Sequence, residues 1–220
     1  MHTQSAICKM DSTIPYIPEP TLRRLPWYLA CVSRLRAHGV ERVSSTTISR
    51  ELNVDSSQIA KDLSYLNIRG KTRIGYDVVE LEQVLVDFLG FARSHNAVIM
   101  GAGSLGAALI ADSGLRRFGL NIVAGFDVNP ALVGTDIGEV PIFHTDELAA
   151  RRSELGAEIA IIAVPVDIAA DVAEKCVVAG FKALWNFTPF RIRTSPEIVV
   201  TNTSIYAHLA VMYNRLSAKR

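Results

Sequence analysis

NAVIMGAGSLGAALIADSGLRRFGLNIVAGFD, running from Asn96 to Asp127, is the stretch on which the reading of this chain turns. An apolar run, Ala97 to Met100, enters the glycine turn Gly101-Ala102-Gly103-Ser104-Leu105-Gly106. A helix-like Ala107 to Ile110 follows, and then a second apolar run, Ile122 to Phe126, that ends on Asp127. Strand, glycine turn, helix, strand and acid in that order make a grip for a dinucleotide. Gly101 lets the chain turn out of the strand, Gly103 lets the backbone approach a pyrophosphate, and Gly106 lets helix and sheet pack closely. The helix N-terminus offers unpaired N–H groups and a positive dipole end to phosphates. Asp127 stands 21 residues after Gly106, where an acid can accept both ribose hydroxyls. A carboxylate there repels a 2′-phosphate, which favours NAD(H) over NADP(H). No arginine follows it among Val128, Asn129 and Pro130. A plain βαβ turn would also carry glycines; the flanking strands and the terminal acid argue for a nucleotide.

Around this stretch lie 220 residues, 49% hydrophobic and 20% charged, with a formal net charge of +1. That composition fits a folded protein of one large domain or two small ones. Bulk charge does not announce a nucleic-acid partner, so a local basic patch would have to. Cys8, Cys31 and Cys176 are scattered without metal-ligand spacing, so no metal is expected and a reducing cytoplasm is the simple reading. No apolar run approaches a membrane span and the N-terminus lacks a signal-peptide core, so no membrane partner is expected.

Upstream, residues 1–20 hold Pro15, Pro18 and Pro20 and read as a flexible leader. Leu22, Leu25, Leu29, Val32 and Leu35 recur with helical spacing up to Gly39, a C-cap residue. Pro26 places the start of the regular helix close to itself. Two short helices follow. Ser44-Ser45 caps the first, with Ile48 and Leu52 inward. Asn53-Val54 turns, and Asp55 with Gln58 forms a capping-box pattern for the second, with Ile59, Leu63 and Leu66 inward. This is helix-turn-helix spacing, which presents a second helix to the major groove of DNA. Its outward positions are Ser56, Ser57, Gln58, Lys61, Asp62, Ser64 and Tyr65. Ile68 to Val79 then reads as a β-hairpin wing, Gly70 and Gly75 flanking a basic tip of Lys71 and Arg73. From Lys61 through Tyr76 four bases face one acid, a local charge of +3. A generic small domain with a solvated basic tip would share this pattern. Asp77 and Glu80 open a further helix that ends around Arg93.

Downstream of Asp127, Val140 to Ile142 reads as a strand, and a helix near Glu147 to Ser153 is capped by Thr145 or Asp146. Glu158 to Val164 is the continuous apolar run of a strand covered on both faces. Asp167 caps a helix from Ile168 to Ala179. Lys182 to Phe187 and Glu197 to Thr201 are two more strands. Such alternation predicts a doubly wound parallel sheet of the Rossmann type. Its ligand loops would be Gly101–Gly106, Asp127–Pro130, Val164-Pro165 and Asn186–Pro189. An amphipathic helix, Ser204 to Leu216, closes the chain; it could cover its own domain or dock on a second subunit. No lysine or histidine sits at a strand end with a carboxylate nearby in sequence, so no catalytic acid or base is assigned. Asn186 and Thr188 are expected to hydrogen-bond a carboxamide.

These stretches together resemble the redox-sensing transcriptional repressor (Rex) family over about residues 20–216. The resemblance rests on Leu25-Pro26-Trp27-Tyr28-Leu29, Val43-Ser44-Ser45, Gln58-Ile59-Ala60-Lys61-Asp62-Leu63-Ser64-Tyr65, Gly75-Tyr76, the glycine turn through Leu109, Phe126-Asp127-Val128 and Asn186-Phe187-Thr188-Pro189. It implies a winged helix-turn-helix domain over 21–92, a Rossmann domain over 93–203, and a domain-swapped C-terminal helix over 204–220. It further implies a homodimer that reads a palindromic operator, with NADH closing the dimer and releasing DNA while NAD+ permits binding. The DNA contacts would come from Ser45, Thr47, Ser56, Ser57, Gln58, Lys61, Ser64, Tyr65, Lys71, Arg73 and Tyr76. The sensed NADH or NAD+ would lie against the glycine turn, Asp127, Val128 and Asn129. Its nicotinamide would sit in an apolar pocket of Val164, Pro165, Asn186, Phe187, Thr188 and Pro189, with Tyr206 from the partner's helix. Two departures stand out. Ala60 replaces a second basic residue before Lys61, which puts more weight on Lys61 and the wing. Ser204-Ile205 replaces an aspartate–aromatic pair used elsewhere in an inter-subunit ion pair. The rival readings are an NAD-dependent dehydrogenase with an N-terminal interaction domain, and a coenzyme-A-binding protein.

Overall fold

The computed structural model describes residues 17–218; most of the proposed leader lies outside them, as does Cys8. The chain divides into two compact units between Ala92 and Arg93.

In the first unit, α1 (Glu19–Ala37), β1 (Arg42–Val43), α2 (Ser45–Leu52), α3 (Ser56–Leu63), β2 (Tyr76–Asp77) and α4 (Val78–Phe88) surround one core. Leu25, Tyr28, Val32, Ile48, Ile59, Leu63, Leu81 and Leu85 meet there. The helix starts are local chemistry. Ser44 accepts from the Thr47 N–H, Asp55 from Ser57 and Gln58, and Asp77 from Val79 and Glu80, each satisfying donors that a helix leaves open. Two expectations change. Pro26 lies inside α1 and does not start it. A mid-helix proline costs about 3 kcal/mol, and here the preceding turn is held by Thr21 and Arg24, which both bind Asp62. The wing is no hairpin. β2 pairs antiparallel with β1 (Arg42↔Asp77, Val43↔Tyr76), and the segment before it is a tight turn bridged at Lys71↔Gly75. Arg73 takes a left-handed φ of 65° at its tip. Gly75, at φ +86°, passes so near β1 that a Cβ would lie 2.3 Å from the Val43 carbonyl oxygen.

The second unit contains β3 (His95–Met100), α5 (Ser104–Ala111), α6 (Ser113–Arg117), β4 (Leu120–Asp127), β5 (Asp136–Ile137), β6 (Val140–His144) and α7 (Leu148–Leu155). It continues through β7 (Ile159–Ile162), α8 (Ala169–Val178), β8 (Ala183–Asn186), β9 (Val199–Asn202) and α9 (Ile205–Ser217). The sheet order is β5-β6-β4-β3-β7-β8-β9. All neighbours are parallel except β5, which runs against β6. Both faces are covered. Val98, Met100, Ala160 and Ile162 point to one core with Leu148, Ala173 and Cys176. Ala97, Ile99 and Ile161 point to the other with Leu109 and Ile110. Burial on both sides is why these strands read as unbroken apolar runs. The capping residues expected for α7 and α8 do not cap them: Thr145–Glu147 forms a 3-10 turn, and Asp167 lies inside another, Val166–Ile168. Cys31 and Cys176 are buried and unpaired. Among the described residues no helix is long and apolar enough to cross a membrane.

Candidate functional site

β4, β3, β7 and β8 end on one edge of the sheet, at Asp127, Met100, Ile162 and Asn186. The strand order reverses at β3, the place where open α/β sheets receive ligands. Gly101 has φ +92°, and a Cβ on it would lie 2.7 Å from the Ala163 carbonyl oxygen. A Cβ on Gly106 would lie 2.0 Å from the Gly101 carbonyl oxygen. A Cβ on Gly103 would meet nothing within 4 Å. Two glycines therefore hold the turn shut, and the third leaves open space beside the N-terminus of α5, which no side chain caps. Ser104 and Leu105 are exposed in that first turn, and Ala102 is buried beneath it. The cradle fits a pyrophosphate by backbone approach and helix dipole.

Asp127 does more than await a ribose. Its Oδ2 accepts from the Ala102 N–H at 2.8 Å, and its Oδ1 from the Asn129 N–H at 2.8 Å. Ala102 is the second residue of the glycine turn, so this carboxylate also fixes the cradle. Each oxygen keeps a lone pair for a hydroxyl. Val128 is exposed, and Asn129 uses its own Oδ1 to accept from the Ala131 N–H. Asp127→Ala is expected to weaken NADH binding by about 1.5–3 kcal/mol, roughly 10- to 100-fold, in a fluorescence titration. An unchanged affinity would remove the ribose assignment.

A cavity of about 370 Å³ opens beyond β7, lined by Leu105, Ala163, Val164, Pro165, Val166, Phe187, Thr188, Pro189, Ile205 and Tyr206. The sequence-assigned pocket residues Val164, Pro165, Phe187, Thr188 and Pro189 thus meet in one largely apolar wall, with the Trp185 ring 4.6 Å from that of Phe187. Asn186 is different. It is fully buried, its Nδ2 donates to the Phe190 carbonyl and to Asn202 Oδ1, and its Oδ1 accepts from the Thr188 N–H. Its amide braces the loop and is not aimed at a carboxamide. Asn202, which sequence reasoning passed over, completes the brace by bonding both backbone groups of Ile192. Tyr206 also meets this wall within one chain. The chain's own Tyr206 lines its own cavity, because only Thr203 and Ser204 separate β9, beside β8, from α9. The rest of α9 has no buried residue, with Val211, Met212, Tyr213 and Leu216 exposed. His144 corrects the catalytic survey: it ends β6 level with Asp127 and lies 3.2 Å from Asp146. It stands on the ribose side of the sheet, away from the apolar cavity.

In the first unit α3 buries Ile59, Asp62 and Leu63 and turns its other side chains towards solvent. Lys61, Ser57 and Ser64 are exposed, and Ser45, Thr47, Ser56, Gln58 and Tyr65 half-buried. Several hydroxyls are already engaged: Thr47 with Ser44, Ser57 with Asp55, and Ser64 with the Lys61 carbonyl. Lys61, Arg69, Lys71 and Arg73 are exposed and make no ion pair among the described residues. Tyr76 packs on the core, its ring over Gly70, so its place is beneath the turn. Asp62, expected to face outward, has no exposure at all. It accepts from Arg24 Nε and Nη2 at 2.6 and 2.8 Å, Tyr28 OH at 2.7 Å, Thr21 Oγ1 at 3.0 Å and Gln58 Nε2 at 2.8 Å. Burial pushes its carboxyl up, but Arg24, Tyr28, Gln58 and Thr21 more than reverse this and hold it below the usual carboxylate range. The spacing carried a signal: Ile59, Asp62, Leu63 and Leu66 form one inward stripe.

Two family models match the chain, described as "Putative DNA-binding protein N-terminus" over residues 16–64 and "CoA binding domain" over residues 92–190. A redox-sensing transcriptional repressor Rex from Bacteroides fragilis is 57% identical over 217 residues, 99% of this chain and 98% of that protein. One from Bacteroides thetaiotaomicron is 57% identical over 91% of each. Crystal structures of RSP, a Rex-family repressor, also align. The complex with β-NAD+ and operator DNA has a TM-score of 0.88 at 31% identity, covering 93% of this chain and 94% of that one. The complex with β-NADH has a TM-score of 0.83 at 32% identity, covering 92% and 95%. Relatives 57% identical over 91% or more of both chains show the family, and the chain belongs to the redox-sensing transcriptional repressor Rex family.

Proposed function

We propose that this chain is a cytoplasmic repressor that binds palindromic operator DNA as a homodimer and lets go when NADH loads the cradle. The observation that carries the reading is the pairing, in one chain, of an acid-ended glycine cradle with a helix-turn-helix unit whose Lys61, Arg69, Lys71 and Arg73 are exposed and make no ion pair among the described residues. Gly101, Gly103 and Gly106 with the α5 N-terminus would hold the pyrophosphate, Asp127 the ribose, and the apolar cavity the nicotinamide. The reduced ring is uncharged, whereas oxidised nicotinamide carries a positive charge that an apolar wall penalises. That difference is the free energy available for switching, since a ligand shifts an equilibrium only by its preference for one state. Support for the dimer comes from α9, whose exposed tyrosines, methionine and leucine want a cover, and a second copy offers the same surface. Coenzyme A fits this cradle less well, because its phosphorylated ribose would meet Asp127. For a dehydrogenase, the cavity walls hold no histidine, lysine, aspartate or glutamate among the described residues, and Tyr206 is their one titratable side chain.

A gel-shift titration across NADH/NAD+ ratios tests the reading. Operator retained at every ratio, or hydride transfer to a carbonyl substrate, would sink it. In the same assay Lys61→Ala and Arg73→Ala should each weaken binding across all sequences and lower the salt slope by about 1. An unchanged slope would move the DNA face elsewhere.

A further inference from the structure

We propose that Asp62 sets the base preference of the reading helix by locking the Gln58 carboxamide in one orientation, so that Gln58 selects an A·T pair through the adenine edge. This rests on the DNA-reading function proposed above. Gln58 lies in the first turn of α3, the part of a recognition helix that reaches base edges. Its Nε2 donates to Asp62 Oδ1 at 2.8 Å. An ionised carboxylate only accepts, so the NH2 side of the amide must face it. The carboxylate cannot swing to follow Gln58, because Thr21, Arg24 and Tyr28 of α1 hold both its oxygens. Gln58 is thereby left with one N–H and its Oε1 to offer. In the major groove adenine presents an acceptor at N7 beside a donor at N6, the complement of that pair. Guanine presents two acceptors, N7 and O6, and would set O6 against Oε1. An untethered glutamine could turn over and would lose rotamer entropy on docking; the tether removes both freedoms. Asp62 touches no base in this scheme and is a positioning residue.

The test uses the full chain and duplexes enriched from a random library by the wild-type protein, with each base pair of the consensus then replaced singly. Ratios are read by competition, so they do not depend on the folded fraction. Gln58→Ala should flatten one A·T position per half-site, from roughly tenfold discrimination or more to near unity. Asp62→Asn should flatten the same position and change nothing further in the Gln58→Ala background. Tyr28→Phe, which removes a different partner of Asp62, should leave that ratio intact. Unchanged ratios in Gln58→Ala, loss at a G·C position instead, or an intact ratio in Asp62→Asn would each overturn the proposal. If Asp62→Asn does not fold, the wild-type Gln58 side-chain order parameter decides: a rigid amide supports the lock, and a value below about 0.6 overturns it. A library that enriches no sequence would remove the DNA-reading function, and this proposal with it.

Discussion

Gly106→Ala is expected to abolish measurable NADH binding and leave the protein on operator DNA at every NADH concentration. The added Cβ would sit 2.0 Å from the Gly101 carbonyl oxygen, 3.0 Å from the Gly101 carbonyl carbon and 3.2 Å from Ile99 Cγ2. The first two are backbone atoms of the turn that α5 follows, so no rotamer change relieves the contact. Either α5 lifts off the sheet or the turn opens, and both displace the N–H groups that would meet the pyrophosphate. Overpacking typically costs about 1–3 kcal/mol, and a backbone obstacle puts this site at the upper end or beyond. The second unit should therefore melt several degrees lower. Gly103→Ala is the control. Its methyl would enter open space, and its φ of −67° suits any residue. The apo protein should melt almost as the wild type does, while NADH affinity falls because the methyl occupies the phosphate approach. Equal melting of Gly106→Ala and wild type would mean that the close packing of α5 is not what shapes the cradle.

The contrast between those two glycines also shows what the sequence could reveal. Their motif spacing announced the cradle, since strand, turn and helix are neighbours in the chain. The Ser44, Asp55 and Asp77 caps were legible for the same reason: donor and acceptor lie two or three residues apart. What stayed hidden depends on partners brought together by folding. Asp62 looked like a solvated charge because its clamps lie 34 to 41 residues upstream. Asn186 looked like a ligand donor because Asn202, its brace, sits on the next strand. Pro26 read as a helix start because nothing local shows that Thr21 and Arg24 would anchor the turn before it. His144 read as an exposed residue ahead of a helix because the strand was ended at Ile142, and pairing with β4 carries it two residues further.

Asp62→Ala is expected to remove about 3–5 kcal/mol from the first unit, the usual result of breaking a buried ion pair by deleting one partner. Arg24 would lose the acceptor of its Nε, while Tyr28 and Thr21 would keep buried hydroxyls without their carboxylate. Since a domain is stable by only about 5–15 kcal/mol, much of that unit should open. Hydrogen exchange at the Ile59 and Leu63 amides would report it, with the second unit's amides as reference. The pH dependence separates charge from packing. The Asp62 carboxyl is held below its ordinary value of 3.8, so its stabilisation is complete above that value and drains as pH falls through the lower folded one. Burial, then the bond to Asp62, pushes the Tyr28 hydroxyl up from 10 to about 12. Its stabilisation is full below pH 10 and fades as pH rises towards 12. Arg24→Ala should invert the acid limb, because a buried carboxylate without its counter-ion is pushed up. The variant then gains stability on acidification where the wild type loses it. An acid limb of the same sign in both proteins would mean that Arg24 does not govern the Asp62 carboxyl. The α1–α3 contact would then owe its strength to the apolar neighbours Leu25, Ile59 and Leu63.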